Sequence, residues 1–160
     1  MAKIAPCLWF ANKDAEEAAN FYVGVFGGNS KIDAVNPAPS DFPSGKRGDV
    51  LTVEFTLAGV QYLGLNGGKA PFAPSEAVSF QVFTDSQEET DRFYLLSAHP
   101  EAEQCGWVKD RYGFSWQIVP RRLLELMRQP DSARSKRVME AMMHMRRIDI
   151  SELEKANEGP

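Results

Sequence analysis

The sequence predicts an α+β fold in which two copies of one small module are followed by C-terminal helices, and three observations predict it. The heptapeptide EEAANFY at residues 16–22 returns as EETDRFY at residues 88–94. Each copy is preceded by a short apolar run rich in strand formers, 7–10 and 78–83, too short for a helix. Each is followed by strand, turn, strand: residues 50–66 around Ala58-Gly59, and residues 104–119 around Asp110-Arg111-Tyr112-Gly113. The repeat unit is therefore strand, helix, meander. Two copies at so long a period do not make a solenoid.

Taken in order, the first run carries Cys7, Leu8, Trp9 and Phe10, alternating between two faces. Asp14 then stands three residues before Glu17, as Ser86 stands three before Glu89, so each helix is expected to open on a side-chain acceptor and an N-terminal acid. The first helix is predicted over 15–26, ending at Gly27-Gly28, with a short strand at 31–35 after it. Residues 36–49 form a long loop holding Pro37, Pro39, Pro43, Gly45 and Gly48, with Lys46 and Arg47 near its far end. A loop of that length reads either as a lid or binding loop or as a disordered stretch.

From 50 to 57 the alternation places Val53, Phe55 and Leu57 on one face and Thr52, Glu54 and Thr56 on the other. In the partner strand Gln61, Leu63 and Leu65 oppose Tyr62, Gly64 and Asn66. Gly67-Gly68 ends the hairpin and residues 71–74 link to the second, shorter copy. The tail is different in kind. Pro120 opens a helix with Leu123, Leu124 and Met127 on one face, Pro130 interrupts it, and a second helix follows Asp131 or Ser132 with Val138, Met139, Met142, Met143 and Met145. Ser151 and Glu154 form the expected capping box of a last short helix. So many methionines suit a helix packed on the domain or on a second subunit.

Composition sets the outer limits. With 160 residues, 43% hydrophobic and 25% charged, the chain is long enough for one core of respectable size. No apolar run reaches the length of a membrane span, and residues 1–6 lack the apolar stretch of a signal peptide, so a cytoplasmic location and free thiols at Cys7 and Cys105 are expected. A net charge of -4 argues against a nucleic-acid surface. The basic residues Arg134, Lys136, Arg137, Arg146 and Arg147 read as a solvated helix face.

The stretches CLWF, DAEEAANFY, VEF, LNGG, EAVSF, QCGW, KDRYGFSWQIVP and RVMEAMMHMRRIDI, in that order, resemble the PhnB-like branch of the vicinal-oxygen-chelate superfamily, the glyoxalase/bleomycin-resistance fold. The resemblance implies two βαβββ modules, each half of a cup, in one domain over 1–120 (modules 1–70 and 75–120) with a helical extension at 121–160. It also implies a homodimer, in some members with modules exchanged between chains. Members of this branch are often labelled 3-demethylubiquinone-9 3-methyltransferase. The common doubly wound methyltransferase needs a glycine-rich turn from a strand into a helix. Here Gly24-Val25-Phe26-Gly27-Gly28 ends a helix instead.

Glyoxalase-like enzymes bind a divalent metal through His, Gln and Glu, one from each of four strands. Carried over by motif, the last-strand carboxylate falls at Gln117 and another ligand near Gly64, while the first strands of the two modules supply Cys7 and Trp9, and Ser79 and Gln81. His99 and His144 lie outside these strands. Such donors make a poor set for a hard cation, so neither metal nor other cofactor is expected. If Leu8, Phe10, Phe80 and Val82 pack under the helices, the cup is lined by Cys7, Trp9, Glu54, Tyr62, Asn66, Ser79, Gln81 and Gln117, suited to a small polar or aromatic organic ligand. Glu54 is the candidate general base, against the plainer reading of a charge on a solvated strand face. Cys7 has no identifiable neighbouring base and reads as an inert thiol. Two function classes follow: metal-free small-molecule binding, or an enzyme of isomerase, lyase or dioxygenase type with a non-standard site.

Overall fold

The computed structural model describes residues 2–159. The chain divides into two compact units, Met1–Ala73 and Pro74–Pro160. The first contains β1 (Cys7–Trp9), α1 (Ala15–Phe26), β2 (Lys31–Pro37), β3 (Val50–Leu57) and β4 (Val60–Leu65). Its sheet runs β1-β4-β3-β2, with β1 parallel to β4 and the other pairs antiparallel. The β3–β4 hairpin turns on Ala58 and Gly59, at φ 47° and 86°, a pair of left-handed residues whose twist matches the strands they join.

One face of this sheet is the core. Val53, Phe55 and Leu57 of β3 and Tyr62 of β4 are buried with Ala15, Ala18, Ala19, Tyr22 and Val25 of α1. Tyr22, Phe55 and Tyr62 stack in a row at 6.2 and 5.4 Å. The alanines let the helix come close: a Cβ on Gly64 would lie 3.2 Å from the Cβ of Ala15 and 3.3 Å from Phe10. Asp14 does not cap α1 with its side chain as expected. The Ala15 amide donates instead to Oδ1 of Asn66, at 3.1 Å, because this fully buried carboxamide just past β4 reaches the helix start first.

Residues 36–49 fold back on themselves. Ala38 exchanges hydrogen bonds with Asp49 and Gly48, at 2.8 and 2.9 Å, and Phe42 pairs with Gly45. The Asp49 and Asp41 carboxylates accept from the amides of Lys46 and Arg47.

The second unit contains β5 (Ser79–Thr84), α2 (Gln87–Phe93), two 3-10 turns (Tyr94–Leu96 and Pro100–Ala102), β6 (Trp107–Lys109), β7 (Ser115–Pro120), α3 (Arg121–Arg128), α4 (Ser132–Met143) and α5 (Ile150–Glu158). Its sheet, β5-β7-β6 with β5 parallel to β7, repeats the order β1-β4-β3. The counterpart of β2 is replaced by the 3-10 turns. There Ala98 donates to Lys109 at the strand edge, and Cys105 and Gly106 donate to Met145 and Arg146, so backbone groups that a fourth strand would pair are met otherwise. Gln104 therefore joins a turn to Trp107 rather than extending β6. Here the predicted cap forms: Ser86 Oγ accepts from Glu89 N at 3.1 Å, and Glu89 Oε2 accepts from Asp85 N at 2.8 Å.

The three tail helices build their own cluster from Leu123, Leu126, Val138, Ile148 and Leu153, with Met127, Met142 and Met145 packed against it, while Met139 and Met143 stay half-exposed. Ile148 N donates to the Tyr94 hydroxyl at 2.9 Å, Gln87 brackets residues 148 and 150, and Arg147 pairs with the buried Glu103 at 3.1 Å. Burial pushes the Tyr94 phenol up to about 12. Asp149 caps α5, accepting from Glu152 N, and not Ser151, because the helix begins before that residue. The basic residues Arg134, Lys136, Arg146 and Arg147 stay exposed, as expected, and each also meets an acid, while Arg137 donates to the last carbonyls of α5. Among the described residues no helix is long and apolar enough to cross a membrane.

Candidate functional site: the open faces of the two sheets

Each sheet gives one face to a helix and leaves the other open. On the first sheet, strand register sets two rows across the open face: Cys7, Leu63, Glu54 and Ala34, then Trp9, Leu65, Thr52 and Asn36. Buried Leu8 and Phe10 turn Cys7 and Trp9 outward, as the alternation requires. Asn36 Nδ2 lies 3.2 Å from both Thr52 Oγ1 and Glu54 Oε1, so an amide donor holds the carboxylate beside a hydroxyl. Trp9 stands at the edge, its Nε1 donating to Gly68 O at 2.8 Å and its ring meeting Phe72 edge-on at 5.3 Å. Cys7 is exposed at the strand edge, yet partial desolvation pushes its thiol up, which disfavours the nucleophilic thiolate.

On the second sheet Ser79, Gln81, Gln117 and Trp107 share the open face through the pairs Gln81–Gln117 and Trp107–Gln117. Gln117 Nε2 donates to Ser79 Oγ at 2.7 Å, and Gln81 Nε2 donates to Gln117 Oε1 at 3.3 Å. Two residues before Gln117, the buried Ser115 hydroxyl has no partner among the described residues.

Two expected lining residues belong elsewhere. Tyr62 is buried on the helix side, stacked on Phe55, and its phenol is pushed up by desolvation. Asn66 is a structural tie, accepting from Ala15 N and donating to Val50 O at 2.9 Å. Gly64 likewise faces Ala15 and Phe10, so the metal-ligand position carried to it by resemblance is under the helix. Asn36, Thr52 and Trp107 join the open faces without having been singled out from sequence. Thr52 was legible in the alternation, but Asn36 lies beyond a register shift in β2.

The donor set does not fit a metal. Among the described residues no three His, Cys, Asp or Glu side chains form a group that could hold an ion. The β4 residues on the open face beside Cys7 and Trp9 are Leu63 and Leu65, which offer no donor. His99 pairs with Glu101 at 3.1 Å, and His144 follows the end of α4. A nucleotide-type cofactor fits no better, since Gly27 and Gly28, at φ 60° and 58°, close α1 and lead to β2 rather than cradling a phosphate between strand and helix.

This pair of modules, each with its first strand parallel to its last and a helix across one face, is the glyoxalase/bleomycin-resistance fold. The chain belongs to the 3-demethylubiquinone-9 3-methyltransferase family, whose model matches residues 2–119. A PhnB protein from Bacillus cereus carrying the same description is 31% identical, over 74% of this chain and 99% of that one, with a TM-score of 0.61. A Pseudomonas aeruginosa protein, 19% identical with a TM-score of 0.55 over 75% and 98% of the two chains, shares the fold. So does an Arabidopsis thaliana gene product, 19% identical with a TM-score of 0.51 over 74% and 98%. No curated protein matches.

Proposed function

We propose that the protein binds a small polar or aromatic organic ligand through its open sheet faces and without a metal. One observation carries the reading: the first open face holds Trp9 at one edge and a hydrogen-bonded Asn36–Thr52–Glu54 group across Leu65 from it, on a sheet where Leu63 and Leu65 of the strand between offer a metal ion no donor. An aromatic wall with a fixed carboxylate, hydroxyl and amide orients an organic molecule by stacking and a few polar contacts. The Ser79–Gln117–Gln81 chain supplies the same kind of donors and acceptors on the second sheet. Methyl transfer, which the family's description names, finds no cofactor cradle in the turns described above.

Mass spectrometry of the protein under non-denaturing conditions, with metal analysis of the same sample, tests this. The expected result is no stoichiometric divalent ion, and a bound organic molecule whose occupancy falls at least roughly tenfold in Trp9→Ala and Glu54→Gln, the loss of one well-placed contact each. One tightly held divalent ion per chain, released by replacing Gln117 or Glu54, overturns the metal-free reading. Saturable binding of S-adenosylmethionine in calorimetry overturns the rejection of methyl transfer.

A further inference from the structure

A cavity of about 500 Å³ in the first unit, whose wall meets the Trp9 indole at the edge of the open-face rows, is lined by Ala11, Asn12, Lys13, Ser44, Gly68 and Lys69 among others. Two ammonium groups line it and no acid does, in a chain whose net charge is -4. The cavities along α3 and between α4 and α5 differ, each carrying both signs. Neither the Asn12 amide nor the Lys69 ammonium has a side-chain partner among the described residues, and Lys69 is exposed. Lys13 already holds a carboxylate, that of Asp49, at 2.8 Å, and this contact keeps Asp49 below the usual carboxylate range.

The wall is closely packed where Gly68 meets Ser44. Gly68 has φ 78°, and a Cβ there would collide with Ser44. The Ser44 hydroxyl is fixed by donating to Asn66 O at 2.9 Å, which turns its oxygen lone pairs and not its proton to any other contact. Lys13 itself holds φ 63°, a left-handed conformation uncommon for a residue with a side chain. The free donors among the lining side chains are thus the Lys69 ammonium and the Asn12 amide, with the Lys13 ammonium shared with Asp49, a set whose charge matches an oxyanion.

We propose that this cavity binds a small oxyanion, a carboxylate or phosphate, through Lys69, Asn12 and Lys13. Its volume leaves room for an oxyanion carried on a larger organic molecule as well as for a bare ion. None of its three donors belongs to the open-face reading, and dependence on Lys69 separates the two, because a ligand on the open face would move the Trp9 resonance whether or not Lys69 is present.

The full-length protein is titrated with inorganic phosphate and, separately, with acetate, at ionic strength held constant by chloride. Binding is followed by calorimetry and by the Trp9 indole N–H resonance, because Trp9 donates to Gly68 on the cavity wall. Saturable binding with a shift of that resonance is expected for at least one anion; the one that saturates assigns the head group, and both saturating assigns an oxyanion site without preference. Lys69→Ala is expected to weaken it roughly tenfold, the loss of one charged donor, and Lys69→Arg to retain it. Lys136→Ala, on α4 in the other unit, is expected to leave it unchanged. The proposal is overturned if neither anion saturates, or if Lys69→Ala has no more effect than Lys136→Ala.

Discussion

In the first module the amide at the start of α1 is held by Asn66, 51 residues along the chain, while in the second the corresponding helix is capped by Ser86, within its own first turn. The sequences that open the two helices read alike, so the difference lies in what surrounds them. In the first module the sheet must be in register before the helix start is satisfied. In the second the helix start is satisfied locally, and the long-range work passes to the tail, which supplies Met145 and Arg146 as acceptors beside β6 and packs its own apolar cluster. The two modules thus share the order of strands and differ in where each is anchored.

The largest test of that contrast is Leu153→Ala. Leu153 is fully buried in the tail cluster, and its truncation is expected to cost about 3 kcal/mol, read as a lower denaturant midpoint with hydrogen-exchange protection lost in α3–α5. A variant whose tail keeps its protection would show that the cluster does not anchor the second unit. Next comes Asn66→Ala, which leaves the buried Ala15 N–H and the half-buried Val50 carbonyl without their partner and is expected to cost about 2 kcal/mol. Ser86→Ala removes one cap and is expected to cost about 1 kcal/mol, chiefly fraying the first turn of α2. Equal costs for these two substitutions would erase the distinction between a tertiary and a local helix start.

The same contrast explains what could be read from sequence. Periodicity sorts residues into faces reliably, and the β3 pattern placed Glu54 correctly opposite Val53 and Phe55. It does not say which face meets the helix. On β4 polarity pointed Tyr62 and Asn66 toward the open side, whereas the ring stacks in the core and the carboxamide is consumed by backbone groups. The signal that could have decided it is Gly64, small because the Ala15 side of α1 lies against it. Asn66 for Asp14 could not be foreseen, because a non-local acceptor leaves no mark near the helix it caps. The aliphatic Leu63 and Leu65 on the open face are equally opaque to a polarity rule.

The smallest effect at neutral pH is expected for Glu103→Gln. The Glu103 side chain is 4% exposed and accepts from Arg147 and Ser97, so its carboxylate is tied to the tail that does the long-range work of the second unit. Arg147 remains 58% exposed and keeps water when the charge opposite it is removed. The hydrogen bonds from Arg147, ahead of the opposing effect of burial, hold the Glu103 carboxyl below its ordinary value. A carboxyl whose folded pKa is depressed adds stability that is fully present above its unfolded pKa, about 4.3, and is lost as pH falls through the lower folded value. The wild-type melting temperature is therefore expected to fall more steeply than that of Glu103→Gln as pH is lowered from 5 toward 3, the two curves running parallel above pH 6. Parallel curves across the whole range would mean that the tail is held by its apolar cluster alone and that the Glu103–Arg147 pair contributes nothing to the anchor.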